Sequence, residues 1–306
     1  MATGTEIIIQ GRKLTLSNLD KVLYPKAGFT KAHVIDYYTR VSPVLLPHLQ
    51  DRALTLKRYP EGVEKEFFYE KRCPAYRPPW LKTAPVWSDS AQEDVKFCLA
   101  NDLPSLIWAA NLADLELHTS LARFKKPDRP TMMVFDLDPG AGVDILGCAA
   151  VALWLREFLA ERKLECFAKT SGSKGLQVYV PLNTPVTYME TKGFARATAE
   201  TLTQQHPENV LFRMEKKLRK GKVFIDWSQN DRHKTTVCAY SLRAKERPTV
   251  STPVTWEEIK KALKAGDPQC LSFESEDTLK RVSKSGDLFE PVLKLKQKLP
   301  SLASRA

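Results

Sequence analysis

The chain has 306 residues, 43% hydrophobic and 27% charged, which suits a soluble globular protein of one large domain or two lobes sharing a core. Its longest apolar runs are too short and too interrupted to span a bilayer, and no basic segment followed by an apolar stretch opens it, so neither a membrane span nor a secretory leader is expected. The formal net charge of +11 suits a polyanionic partner, because Lys and Arg that neutralise phosphates release counterions, although many basic proteins bind no nucleic acid.

In chain order, residues 6–16 alternate like a short hairpin. Residues 31–41 have the spacing of an amphipathic helix with Thr30 as its N-cap. Residues 54–59 and 66–71 read as strands joined by the turn Pro60-Glu61-Gly62, and the Pro-rich stretch 74–85 reads as irregular. A helix is expected over 103–112 and a strand over 114–119. Residues 132–138 form an apolar run that closes on two acids and Pro139-Gly140, the pattern of a buried strand followed by a turn. A long helical period covers 143–162. Strands come next at 166–170 and 176–182, joined by Ser171-Gly172-Ser173-Lys174-Gly175; then a helix at 187–205 and strands at 223–227 and 235–241. The order β-α-β-β-α-β-β predicts an α/β layer with a mixed sheet. The tail after Val250 carries short helical segments and no catalytic signal. Cys73, Cys98, Cys148, Cys166, Cys238 and Cys270 lack zinc-ligand spacing and read as scattered reduced thiols, which predicts a reducing, cytoplasmic setting.

Asp136 and Asp138 stand two apart near the end of MMVFDLD. Alternate strand residues face the same way, so the two carboxylates point together, and at about 5 Å they repel by roughly 3 kcal/mol at an effective dielectric near 20. A hard divalent cation removes that cost. Taken alone, the pair fits a solvated, Asp-capped turn, an Asp-nucleophile phosphatase, or a two-metal nucleotidyl transferase. Pro139-Gly140-Ala141 departs from the residues usual after the second acid in haloacid-dehalogenase phosphatases. The transferase needs a third carboxylate, and Asp226, alone among apolar residues in KVFIDWS, is the candidate; a structural salt bridge is the competing reading.

TSGSKG lies between two strands and allows backbone N–H groups to bind an anion, with Ser171, Ser173 and Lys174 adding donors. It is not a P-loop, since the pattern differs and a strand comes after it, and by itself it equally suits an ordinary Gly-Ser hairpin. Lys57, Arg58, Arg219, Lys222 and Arg243 lie on or near strands, though a run such as KKLRKGK is commonly a solvated loop. His118 ends a strand, where structural histidines are frequent. Phe67 and Phe68 are adjacent, so a strand cannot bury both on one face, and one is open to serve as a platform for a base.

Together, DKVLYP, LKRYPEGV, FFYEK, LELH, VFDLDPG, KTSGSKGL, GKVFIDWSQN and KTTVCAYSLR closely resemble the polymerase domain of bacterial DNA ligase D, a member of the archaeo-eukaryotic primase superfamily that acts in non-homologous end joining. The resemblance implies a primase-type α/β (α+β) core, with mixed sheets flanked by helices and an RRM-like β-α-β-β element. It places a polymerase domain over 1–250, with an N-terminal lobe to about 125 and a catalytic core over about 126–250, and a helical C-terminal segment of the same domain over 251–306. Asp136, Asp138 and Asp226 would hold two divalent metals, Mn2+ favoured and Mg2+ accepted, and carry catalysis. Lys57, His118, Ser171, Ser173, Lys174, Arg219, Gln229 and Arg243 would bind the incoming NTP or dNTP. Phe67 and Phe68 would stack on bases, and Asn18, Lys21 and Lys31 would bind the 5′-phosphate across a gap. Implied partners are DNA ends and gaps, fused ligase and nuclease modules, and a Ku-like end-binding protein, in the bacterial nucleoid. Gln177 stands where primase-type enzymes usually carry His, and Gln cannot carry a proton. Against this polymerase stand a non-catalytic DNA-end-binding module and a metal-dependent phosphatase or nuclease that uses the same carboxylates.

Overall fold

The computed structural model describes residues 4–88 and 92–300. It divides into two compact units. Unit 1 comprises residues 1–125, 235–251 and 273–287; unit 2 comprises 126–234, 252–272 and 288–306. The chain crosses between them several times, so segments of the C-terminal tail belong to each.

Unit 2 is built on a six-stranded sheet in the spatial order Val210–Leu211, Val223–Asp226, Met132–Pro139, Leu176–Pro181, Phe167–Thr170, Pro253–Val254. The acidic strand Met132–Pro139 lies near the middle, antiparallel to both neighbours. Its apolar residues Met132 to Phe135 and Leu137 are buried, and the helices Ile145–Ala160 and Tyr188–Gln205 pack against it. Both helices start at a capping residue: Asp144 accepts from the amides of Leu146 and Gly147, and Thr187 forms a reciprocal cap with Glu190. This is the mixed α/β layer that the alternation of periods predicts.

Unit 1 holds a second sheet in the order Thr236–Val237, Asp114–Thr119, Leu54–Arg58, Glu93–Cys98, Thr83–Ser88, with Phe68–Glu70 paired to Leu54–Arg58. The helix Lys31–Leu49 is capped by Thr30, as expected, but continues eight residues beyond Val41, through Pro43 and Pro47. Pro43 has no N–H for the carbonyl of Thr39, four residues earlier; the Ser42 hydroxyl donates to that carbonyl at 2.8 Å instead. The side chains of Tyr37, Tyr38, Val41, Leu45 and Leu49 then keep a buried stripe at helical spacing.

Three expectations are corrected. The strands Thr83–Ser88 and Glu93–Cys98 are not legible in the sequence, because Pro85 and the acids interrupt the apolar pattern; Thr83–Ser88 is an edge strand, where a missing N–H costs no ladder bond. The expected strand over 235–241 shrinks to Thr236–Val237, since Tyr240 takes a positive φ of 66° and turns the chain. Cys73 and Cys98 are not free thiols: they form a disulfide, the Cys73 amide having been brought to the sheet by its bond to the Lys96 carbonyl. Cys148, Cys166 and Cys238 are free and buried, and Cys270 is free and exposed. Among the described residues no helix is long and apolar enough to cross a membrane.

Candidate active site

In unit 2 the sheet register sets the acids together. Asp136 pairs directly with Asp226 across the antiparallel ladder, and Asp138, two residues on, projects from the same face. On its other side Asp136 pairs with Gln177, and Gln177 pairs with Lys169, so Asp226, Asp136, Gln177 and Lys169 form one polar row across four strands. Lys169 is fully buried and donates to the Gln177 Oε1 at 2.5 Å, which turns the amide N–H2 toward Asp136. Burial, then the charges of Asp138 and Asp226, push the Asp136 carboxyl up to about 7, against the pull of Gln177 and Lys169. Sequence reasoning passed over Lys169; a lone Lys inside a buried strand two residues before the Ser171–Gly175 loop is the signal that could have found it.

Asp226 is buried and held from its own segment. Its Oδ1 accepts from the Ser228 amide at 3.0 Å and hydroxyl at 2.5 Å, its Oδ2 accepts from Gln229 Nε2 at 2.7 Å, and Lys234 donates to Ser228 Oγ at 2.6 Å. Gln229 is thus a direct partner of an acid. After Asp226 the strand breaks into a 3-10 turn and no longer offers backbone partners to Val134. Asn230, fully buried, replaces them: its side chain accepts from the Val134 N–H at 2.8 Å and donates to the Val134 carbonyl at 2.6 Å.

Two glycines let loops close on these strands. A Cβ at Gly175 would lie 2.1 Å from the Leu137 carbonyl oxygen, so only glycine lets the Ser171–Gly175 loop meet the acidic strand between its two acids. A Cβ at Gly140 would lie 1.7 Å from the Arg219 carbonyl oxygen, which brings the basic loop of Arg219 and Lys222 against the turn after Asp138. Within the first loop the amides of Ser173 and Gly175 donate to Ser171 Oγ, so the loop is stiffened on its own serine, while Ser173 and Lys174 are exposed. The Arg219 guanidinium lies 3.8 Å over the Phe224 ring and donates to the Met214 carbonyl.

As placed, no three acidic, histidine or cysteine side chains among the described residues converge on one point as a metal cage would. The donor set nonetheless suits a hard cation: carboxylate oxygens only, mutually repelling and held in register on one sheet face. Asp136, Asp138 and Asp226 are the residues that would hold it.

In unit 1, Lys57, His118 and Arg243 converge on one residue that sequence reasoning missed, Glu116. The pattern was visible as the second residue of LELH, where an acid shares a strand face with His118. Lys57 also sits 4.5 Å over the Phe67 ring. Phe67 and Phe68 are both exposed and take opposite sides, Phe67 beside Lys57 and Tyr59, Phe68 under the Arg58 guanidinium at 5.0 Å. The loop residues Asn18 and Lys21 are joined by a backbone bond, and Lys31 is tied to Lys21 by another. Lys31 is buried, its Nζ on the Asn111 carbonyl at 2.8 Å; burial, then the charges of Lys21 and Arg58, lower its pKa. Lys21 reaches Glu61 at 2.7 Å.

A mixed α/β layer that pairs acids on adjacent strands is the architecture expected of a primase-polymerase domain. The description "LigD, primase-polymerase domain" matches residues 30–289, and the chain belongs to that family. It is 40% identical over 282 residues to the multifunctional non-homologous end joining protein LigD of Mycolicibacterium smegmatis, covering 92% of this chain and 36% of that protein. It is 36% identical to the bifunctional LigD of Bacillus subtilis, over 82% of this chain and 40% of that one. The solved polymerase domain of Mycobacterium tuberculosis ligase D, in complex with DNA, superposes with a TM-score of 0.85 at 39% identity, covering 93% of this chain and 99% of that one. The chain therefore spans well under half the length of these curated relatives.

Proposed function

We propose that this chain adds NTPs or dNTPs to the 3′ ends of DNA at gaps and broken ends, as one module of a longer end-joining protein. The observation that carries the reading is the direct pairing of Asp136 with Asp226, with Asp138 on the same face. Two divalent cations, Mn2+ favoured, would lower the pKa of the attacking 3′-hydroxyl and take up charge on the departing pyrophosphate. The bond formed joins the 3′ oxygen to the α-phosphorus; the bond broken releases pyrophosphate. Asp136, Asp138 and Asp226 hold the charge that makes this site, and Gln229 and Ser228 fix the Asp226 carboxylate. Ser171, Ser173 and Lys174 grip the phosphates, with Arg219 beside them, and Lys57, His118 and Arg243 supply further basic groups for the nucleotide. Phe67 and Phe68 offer flat faces to bases, and Asn18, Lys21 and Lys31 bind a downstream 5′-phosphate. The DNA-bound relative supports DNA as the substrate, and the short span relative to multifunctional and bifunctional relatives supports further modules fused to this one, which in this reading are a ligase and a nuclease that work with a Ku-like protein in the cytoplasm.

The test is primer extension on 5′-phosphorylated gapped DNA with Mn2+ or Mg2+ and with either sugar. Pyrophosphate release by the wild type, and its loss in Asp226→Ala with DNA binding retained, is the expected result. Release of inorganic phosphate or nucleoside monophosphate instead would assign the acids to a phosphatase or nuclease.

A further inference from the structure

Glu116 is the most heavily engaged acid in unit 1. Its side chain is 1% exposed, and both carboxylate oxygens are engaged by basic groups. Oε1 accepts from Lys57 Nζ at 3.2 Å and from the Ala244 amide at 3.1 Å; Oε2 accepts from His118 Nε2 at 3.0 Å and forms an ion pair with Arg243, whose Nε lies 3.2 Å away. Donors from Lys57, His118 and the Ala244 amide meet the acceptor sites of this carboxylate, and the Arg243 guanidinium lies beside it as an ion pair. Burial alone raises its pKa, but the His118 bond and the Arg243 and Lys57 charges outweigh that and hold it well below the usual carboxylate range. It is therefore an anion that can only accept, and His118 must present a hydrogen on Nε2, which leaves Nδ1 as the other ring nitrogen.

The strand register produces this arrangement. Lys57 pairs with Glu116 across the antiparallel ladder of Leu54–Arg58 and Asp114–Thr119, and His118 comes two residues after Glu116 along the same face. Arg243 and Ala244 arrive on the segment after Thr236–Val237, the strand paired with His118. Each of the three basic side chains is 12–15% exposed, against 1% for Glu116, so the carboxylate lies beneath and the basic groups lie toward the surface. Lys57 and Arg243 gathered this closely would repel one another without an anion between them. With it, one carboxylate balances one of two permanent charges, and a positive excess remains on the outer side.

We infer that Glu116 is a positioning residue for nucleotide binding: its buried carboxylate gathers Lys57, His118 and Arg243 into a fixed, outward-facing basic set that a triphosphate can meet without reorganisation. This rests on the reading of those three residues as triphosphate contacts. Preorganised donors bind more tightly than the same donors left to repel and scatter, so Glu116 strengthens binding of an anion although it is itself an anion.

The experiment compares Glu116→Gln, Lys57→Ala and Arg243→Ala in the full chain, by steady-state extension of gapped DNA with ATP opposite dT and by NMR titration of the His118 ring. Glu116→Gln should raise the nucleotide KM on the order of tenfold, as the two alanine variants do, with kcat at saturation changed by less than about threefold. It should also lower the His118 pKa below its wild-type value, because the carboxylate is the group that raises it while burial, Arg243 and Lys57 lower it. If Glu116→Gln does not fold, Glu116→Asp, which keeps the charge but loses a methylene of reach, should give the same two changes at smaller size. A raised KM in Lys57→Ala and Arg243→Ala beside an unchanged KM in the Glu116 variants overturns the positioning role and leaves the nucleotide reading standing. An unchanged KM in all three overturns the nucleotide reading itself, and this inference with it.

Discussion

Replacing Asp136 by Asn should stabilise the metal-free protein while abolishing nucleotide addition. Asn keeps the size of the side chain and an oxygen to accept from Gln177, and removes the charge that burial, Asp138 and Asp226 oppose. Raising a carboxyl from its ordinary value of 3.8 to about 7 corresponds to about 4 kcal/mol of stability withheld once the group is ionised in both states. The sign depends on where the proton binds. The folded carboxyl holds its proton more tightly than the unfolded one, so its contribution is fully present below about pH 4 and is lost as pH rises through about 7. Between wild type and Asp136→Asn the difference should therefore be about 1.5 kcal/mol at pH 5 and about 4 kcal/mol at pH 8, the latter worth roughly 6 °C in melting temperature for a chain of this size. Thermal unfolding in EDTA across pH 5–8 measures it. Equal melting temperatures at pH 8, or a gap that widens toward pH 5, would refute the electrostatic account. Added Mn2+ should then raise the melting temperature of the wild type and leave that of the variant nearly unchanged.

Lys21→Ala should erase the preference for a gap carrying a 5′-phosphate over one carrying a 5′-hydroxyl, a loss of about 1–3 kcal/mol measured at one fixed salt concentration; equal weakening on both DNAs would make Lys21 part of a general basic surface. Lys31→Ala should add a fall in stability, seen in thermal unfolding, because its buried ammonium holds the Asn111 carbonyl. Cys73→Ser should cost about 2–4 kcal/mol under oxidising conditions, since the bond closes a loop of sequence separation 25, and nothing under reducing ones. Asn230→Ala should cost about 2–4 kcal/mol in denaturant unfolding, because both backbone groups of Val134 lose their partner in the interior.

Local chemistry made much of this molecule readable. The acidic strand, the capped helices at Thr30 and Thr187 and the glycine-serine loop each depend on neighbours a few residues apart, where period and capping act. The same local patterns singled out Asp136, Asp138 and Asp226 as candidates, and the order of motifs pointed to the family that the comparisons then established. What the sequence could not carry were partners chosen by strand register. Nothing local says that Lys57 lies opposite Glu116 or that Lys169 reaches Gln177, for each pairing joins strands whose contact is set by which strands adjoin and at what offset, and nothing local says that the loop residue Cys73 finds Cys98. Shifting any of these ladders by one residue would turn the side chains to the other face, so the identity of each residue was in the sequence and its company was decided only by the tertiary structure.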